Sequence, residues 1–158
     1  MSNVDITSIV KALVKDMKDG MDDMTLDAAL SLADEVKRKA AEMGVRAVVA
    51  ITNRGANPVL VQCMDDSYIA SFDIALNKAY TSVALKMPTC ALSDLAKPGA
   101  SLYGIQFTNG GRIVIFGGGE PLYNREGTLI GAIGVSGGSE SEDTALAAYG
   151  KEIFEKGN

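Results

Sequence analysis

Residues 113–138 read IVIFGGGEPLYNREGTLIGAIGVSGG, and the way glycine punctuates this stretch decides the fold. Arg112 to Phe116 is a short apolar, β-branched run and predicts a strand. Gly117, Gly118 and Gly119 interrupt it, and the strand resumes over Glu120 to Tyr123. Asn124, Arg125, Glu126 and Gly127 are turn residues. Thr128 to Ser136 is the longest strand-like run that follows. Three strands joined this closely form a meander, which is antiparallel. Ser139 with Glu142 then matches a capping box. It opens a last helix to about Lys156, with Leu146, Tyr149, Ile153 and Phe154 inward.

The same periodicities extend outward to the rest of the chain. Ile6, Ile9, Val10, Leu13, Val14 and Met17 recur at helical spacing and predict an N-terminal amphipathic helix over roughly 3–18. Asp19 to Asp23 breaks it around Gly20. Thr25 caps a second helix whose inner face is Leu26, Ala29, Leu30, Ala33, Val36, Ala40 and Met43, and Gly44 ends it. Ala47 to Thr52 and Val59 to Met64 are two strands around the turn 53–58, a hairpin. A third helix carries Ile69, Phe72, Leu76, Ala79, Tyr80, Val83 and Met87 on one expected inner stripe, and Pro88 stops it. Asp65 and Asp66 are placed to cap it. Thr89 to Ala96 is a short fourth helix, and 99–111 is loop. The order α-α-β-β-α-α-β-β-β-α predicts a single α+β domain over 1–158. Its sheet is expected to be five-stranded and antiparallel, with helices packed on it.

Composition removes whole classes of chemistry. The chain has 158 residues, net charge −5 and no histidine. Ser-His-Asp and Cys-His sites and histidine-held metals are therefore excluded within it. Acid–base work falls to Asp, Glu, Lys, Tyr or Cys. An acidic pI near 4.7 argues against nucleic acid and anionic membranes. No run reaches the roughly 20 apolar residues of a membrane span, and the charged N-terminus is unlike a signal peptide. A cytoplasmic protein is expected. Its two cysteines, Cys63 and Cys90, are expected to be free, buried and inert. No metal site is expected.

The glycine loops raise the question of phosphate binding. Ser136-Gly137-Gly138-Ser139 before a helix offers backbone N–H groups. No Walker lysine accompanies them, and Glu140, Glu142 and Asp143 would repel an anion. Two readings stay open. In one, Gly117 to Gly119 are a strand bulge, and Gly131 and Gly134 let a helix or a subunit come close. In the other, the backbone of Gly117, Gly118 and Gly119, with Ser136, lines a pocket for a carboxylate or hydroxyl. Lys78 is the other candidate. It shares a helical stripe of small residues with Ser71, Ala75 and Ser82, turned away from the large apolar side chains. That stripe faces a pocket, an interface or solvent, and Asp73 could pair with the lysine.

Four stretches together resemble the GlcG/HbpS family, which includes the C-terminal domain of PduO-type proteins. They are MTLDAALSLADEVKRKAAEMG at 24–44 and CMDDSYIASFDIALNKAYTS at 63–82, with Met64-Asp65, Ser71, Asp73, Ile74, Ala75, Lys78 and Ala79. FGGGEPL at 116–122 and IGAIGVSGGSESED at 130–143 complete the set, the latter with the acidic pair Glu142 and Asp143. The resemblance implies a profilin-like five-stranded antiparallel sheet with helices on both faces, and assembly into a homo-oligomer, a tetramer or octamer. It also implies haem or corrinoid binding, and a place beside glycolate, propanediol or glycerol catabolism. The chain departs from the family where a relative uses histidine, so only Tyr, Met or Cys can ligate iron here. Three functions follow. The first is a ligand-binding accessory protein for a small organic acid, an alcohol or a tetrapyrrole, contacted by Gly117–Gly119, Ser136 and Lys78. The second is an enzyme using Lys78 with Asp73 or Asp143 for proton transfer on a carbonyl or hydroxy acid. The third is a structural partner that stabilises a metabolic enzyme.

Overall fold

The computed structural model describes Ile6 and residues 22–157; apart from Ile6, the helix expected over 3–18 lies outside these. Helix α1 (Leu26–Glu42) starts where Thr25 Oγ1 accepts the Ala28 amide at 3.2 Å. It ends in a left-handed Gly44 (φ +73°), with the Val45 amide donating back to the Ala40 carbonyl at 2.9 Å. Strands β1 (Val48–Asn53) and β2 (Pro58–Cys63) form the hairpin. Helices α2 (Ser71–Leu85) and α3 (Thr89–Ala96) follow, then β3 (Gly119–Tyr123), β4 (Leu129–Ser136) and α4 (Glu140–Gly157). Among the described residues no helix is long and apolar enough to cross a membrane.

The sheet has four strands in the order β2-β1-β4-β3, and every neighbouring pair is antiparallel. Strand periodicity sorts its side chains into two layers. Val49, Ile51, Ile133 and Val135 join Ala29, Leu32, Val36, Leu146 and Phe154 in the main core, under α1 and α4. Val48, Ala50 and Ala132 face the other way, against Ala75, Ala79 and Val83 of α2. Helices thus cover both faces.

The fifth expected strand does not form. Residues 112–116 run beside α2 instead of joining the sheet. The Val114 amide donates to Thr81 Oγ1 at 3.0 Å, and the Arg112 guanidinium stacks on Tyr80 at 3.6 Å. A helix side chain, in place of a strand, satisfies this backbone. Gly118, at φ +116°, then turns the chain into β3.

The expected inner stripe of α2 is found in part. Ala79 and Val83 are buried and Leu76 packs on the core, but Ser71, Ala75, Lys78 and Ser82 are buried too, whereas Ile69 is 97% and Phe72 45% exposed. The sheet explains the burial of the small-residue stripe. A Cβ on Gly134 would overlap the Ala75 carbonyl oxygen and lie 2.7 Å from the Ala79 amide. The α2 backbone rests almost directly on β4, and only small residues fit between. Asp65 and Asp66 do not cap α2, which has no side-chain cap; Asp66 pairs with Arg46 at 3.5 Å. Both cysteines are free and exposed, not buried. Cys63 ends an edge strand and Cys90 lies in the first turn of a short helix, so neither reaches a core layer.

Candidate functional site

Four elements converge on the ammonium of Lys78. Its side chain is fully buried, reaching from α2 past the end of the sheet. Nζ donates to the Val135 carbonyl at 2.8 Å and to Asp143 Oδ2 at 2.8 Å. Asp143 lies in the first turn of α4, where helix amides favour a carboxylate. Its other oxygen, Oδ1, accepts the Gly138 amide at 2.9 Å. The expected capping box places it: the Ser139 amide donates to Glu142 at 2.7 Å and the Glu142 amide to Ser139 Oγ at 3.3 Å. With Glu142 turned to the cap, Asp143 turns inward. Phe116 closes the outer side, its ring centroid 5.0 Å from Nζ, within cation–π range.

The glycine loop is packed against this pair. The Gly117 amide donates to Glu140 Oε1 and the Gly119 amide to Thr89 Oγ1, each at 2.9 Å. The Gly118 carbonyl accepts the Val135 amide at 2.8 Å. A Cβ at Gly118 would lie 2.6 Å from Lys78 Nζ, and one at Gly117 would overlap Thr144 Oγ1. Ser136 Oγ donates to Ser71 Oγ at 3.0 Å, tying β4 to the start of α2.

Lys78, Asp143, Ser136 and Gly117 to Gly119 therefore form one buried cluster. Asp73 stands apart, exposed in the first turn of α2. Thr89 and the Val135 carbonyl complete the cluster, and the exposed Phe116 and Glu140 border it; of these four only Glu140 is noted from the sequence, as one of three carboxylates that would repel an anion.

Burial pushes the Lys78 ammonium below its ordinary pKa, while the hydrogen bond and charge of Asp143 and the charge of Glu140 work against that fall. Burial raises the Glu120 carboxyl, against the pull of Lys151 at 3.4 Å. Chemically, the cluster is an ion pair whose donors and acceptors are met from within. The side chains open to a ligand lie just outside it. Phe116 is 40% exposed, and Cys90 is an exposed thiol whose Cβ would stand 3.2 Å from a Cβ on Gly117. Tyr68, Tyr103 and Phe107 are exposed as well. Among the described residues no group of three or more Cys, Asp or Glu could hold a metal ion.

Fold and site define an α+β domain with a buried lysine–aspartate pin under a glycine loop, and exposed aromatic and thiol groups beside it. The chain belongs to the HbpS-like family, whose description is "Haem degrading protein HbpS-like"; the family model matches residues 24–152. It is similar to an uncharacterized 15.0 kDa protein from the dhaT-dhaS intergenic region of Citrobacter freundii, 47% identical over 83% of this chain and 92% of the relative. It is also similar to the corrinoid adenosyltransferase PduO of Salmonella typhimurium, 40% identical over 69% of this chain but only 32% of that protein. The solved structure of a PduOC–haem complex superposes with a TM-score of 0.78 at 35% identity, over 82% of this chain and 94% of that one.

Proposed function

We propose that this chain is a haem-binding accessory protein that works as a homo-oligomer in a carbon-catabolism pathway. The observation that carries this reading is the juxtaposition of the exposed Cys90 thiol, the exposed Phe116 ring and the Gly117 loop between them. An apolar macrocycle needs an exposed aromatic surface and an axial donor. This chain has no histidine, and cysteine or tyrosine can take that place. The exposed donors include Cys63, Cys90, Tyr68 and Tyr103, and of these Cys90 lies beside Phe116 and Gly117, so the donor set fits haem. Haem, when bound, supplies redox and oxygen chemistry. The chain's own residues supply the binding surface: Phe116 offers a face, Cys90 a soft ligand, and the buried pair holds the loop that presents both. Family membership and the haem complex of a 35% identical chain support the same reading. A corrinoid is the alternative tetrapyrrole.

A second reading, proton transfer by Lys78 and Asp143 on a small carbonyl, is favoured by the depressed lysine and its 2.8 Å bond to the carboxylate. It requires Phe116 to swing aside, because Lys78 is fully buried.

The test is a haemin titration of the full chain followed at the Soret band, with cobalamin in parallel. Saturable binding is expected, with a changed band position in Cys90→Ser and roughly tenfold weaker binding in Phe116→Ala, about 1.4 kcal/mol of lost ring contact. A linear, unsaturable haemin signal would sink the proposal.

A further inference from the structure

Arg112 is a cation without a counter-charge. It lies half-buried beside α2, its guanidinium carbon 3.6 Å from the centroid of the Tyr80 ring. Nε donates to Asn77 Oδ1 at 3.5 Å. Among the described residues Nη1 and Nη2 make no hydrogen bond, and no carboxylate lies within 4 Å of them. The chain has carboxylates to spare, at net charge −5. Most of its described cations do sit on one, as Lys37 sits on Asp34 at 2.9 Å and Lys97 on Asp94 at 3.2 Å.

Arg112 is also held in place. Its amide donates to the Asn109 carbonyl, and its own carbonyl accepts the hydroxyl of the buried Thr81, both at 3.3 Å. Asn109 Nδ2 donates to Tyr80 Oη at 3.2 Å, which steadies the ring that carries the guanidinium. A planar fork whose backbone, one face and one nitrogen are already fixed is preorganised for a bidentate carboxylate.

We infer that Arg112 takes a carboxylate of the ligand, a propionate arm of haem. This deepens the haem-binding reading and rests on it. Position, availability and charge all connect the two. Phe116, the exposed ring offered to the macrocycle, is four residues further along the same segment, at most about 14 Å away, and Thr81 ties the segment between them to α2 through the Val114 amide. A propionate is a flexible arm on the rim of the macrocycle, so ring face and arm need contacts that are set apart in this way. The other cation near Phe116 is not available, because Lys78 is fully buried and its charge is met by Asp143 at 2.8 Å. Haem brings two carboxylates to a chain already at −5, and the general field repels it. An unpaired guanidinium reverses that field where the arm lands, and stacking on Tyr80 leaves its charge intact. The same contact sets specificity. The side arms of cobalamin are amides, which offer a guanidinium no charge, so Arg112 favours haem over a corrinoid.

Haemin and haemin dimethyl ester, which keeps ring and iron but lacks both carboxylates, are titrated into the full chain in the same dilute detergent and followed at the Soret band. Wild type, Arg112→Gln and Arg112→Lys are compared. Wild type is expected to bind haemin about tenfold more tightly than the ester, the size of a charge-assisted hydrogen bond. Arg112→Gln should lose about that tenfold for haemin and leave the affinity for the ester unchanged. Arg112→Lys, which keeps the charge but not the fork, should fall between them. Equal binding of haemin and ester by wild type would overturn the inference whatever the variants do, so a variant that fails to fold leaves the test standing. An equal loss of both ligands in Arg112→Gln would make Arg112 a prop for α2 and overturn it as well. Either result leaves the haem-binding reading intact. No saturable binding of haemin or its ester by wild type would overturn both.

Discussion

Replacing Lys78 by methionine should be among the most damaging single changes to this fold. The substitution keeps the length of the side chain but removes the ammonium that meets Asp143 Oδ2 and the Val135 carbonyl, both at 2.8 Å. Asp143, 4% exposed, keeps only the Gly138 amide. Removing one partner of a buried pair costs about 3–5 kcal/mol, because the remaining charge stays desolvated. For a chain of this size that is roughly 6–20 °C in Tm. The double variant Lys78→Met/Asp143→Leu removes both charges and leaves the Gly138 amide and the Val135 carbonyl to be re-satisfied, at about 1–3 kcal/mol each. It should therefore be less destabilised than the sum of the two single variants by 2 kcal/mol or more. Urea and thermal melts by circular dichroism give all four corners of the cycle. A deficit below about 1 kcal/mol for Lys78→Met, the value expected of a surface lysine, would refute the reasoning.

Three further outcomes follow from the same geometry. Gly134→Ala should lift α2 from the sheet, because its Cβ overlaps the Ala75 carbonyl oxygen. A loss of at least about 1–3 kcal/mol is expected in urea melts, and a neutral result would contradict the close helix–sheet contact. Glu120 has a folded pKa raised above its ordinary value by burial, so its contribution to stability is fully present below the unfolded pKa and is lost as pH rises through the folded pKa. Wild type should accordingly lose stability relative to Glu120→Gln as pH climbs from about 4 toward 7, and parallel curves would argue against that burial. Native protein should react with two equivalents of a thiol reagent, at Cys63 and Cys90; full protection until unfolding would show them buried after all.

Much of the fold was legible in local pattern. The capping box at Ser139 and Glu142, the Thr25 cap and the hairpin around Asn53 to Pro58 are decided by residues close in sequence, and each occurs as read. What failed depended on partners distant in sequence. The run Arg112 to Phe116 has strand character, but Thr81 and Tyr80 on α2 take up its backbone and its arginine. The helix stripe was read by size, large side chains inward. The sheet offered Gly134, Ala132 and Ala50, a floor low enough for the backbone to descend onto it and turn Ile69 and Phe72 outward. Lys78 stood out as a lysine on a small-residue stripe, and the carboxylate it meets is one of two that sequence had proposed. The choice of Asp143 over Asp73 was settled by a contact 65 positions away along the chain.

The most direct measurement of the central claim is native mass spectrometry of the full chain after incubation with haemin and removal of excess by gel filtration. The account predicts one haem retained per chain in wild type, reduced occupancy in Phe116→Ala, and an altered iron spectrum in Cys90→Ser. A protein that emerges without haem at every ratio, or one that retains it equally well when both residues are replaced, would contradict the account.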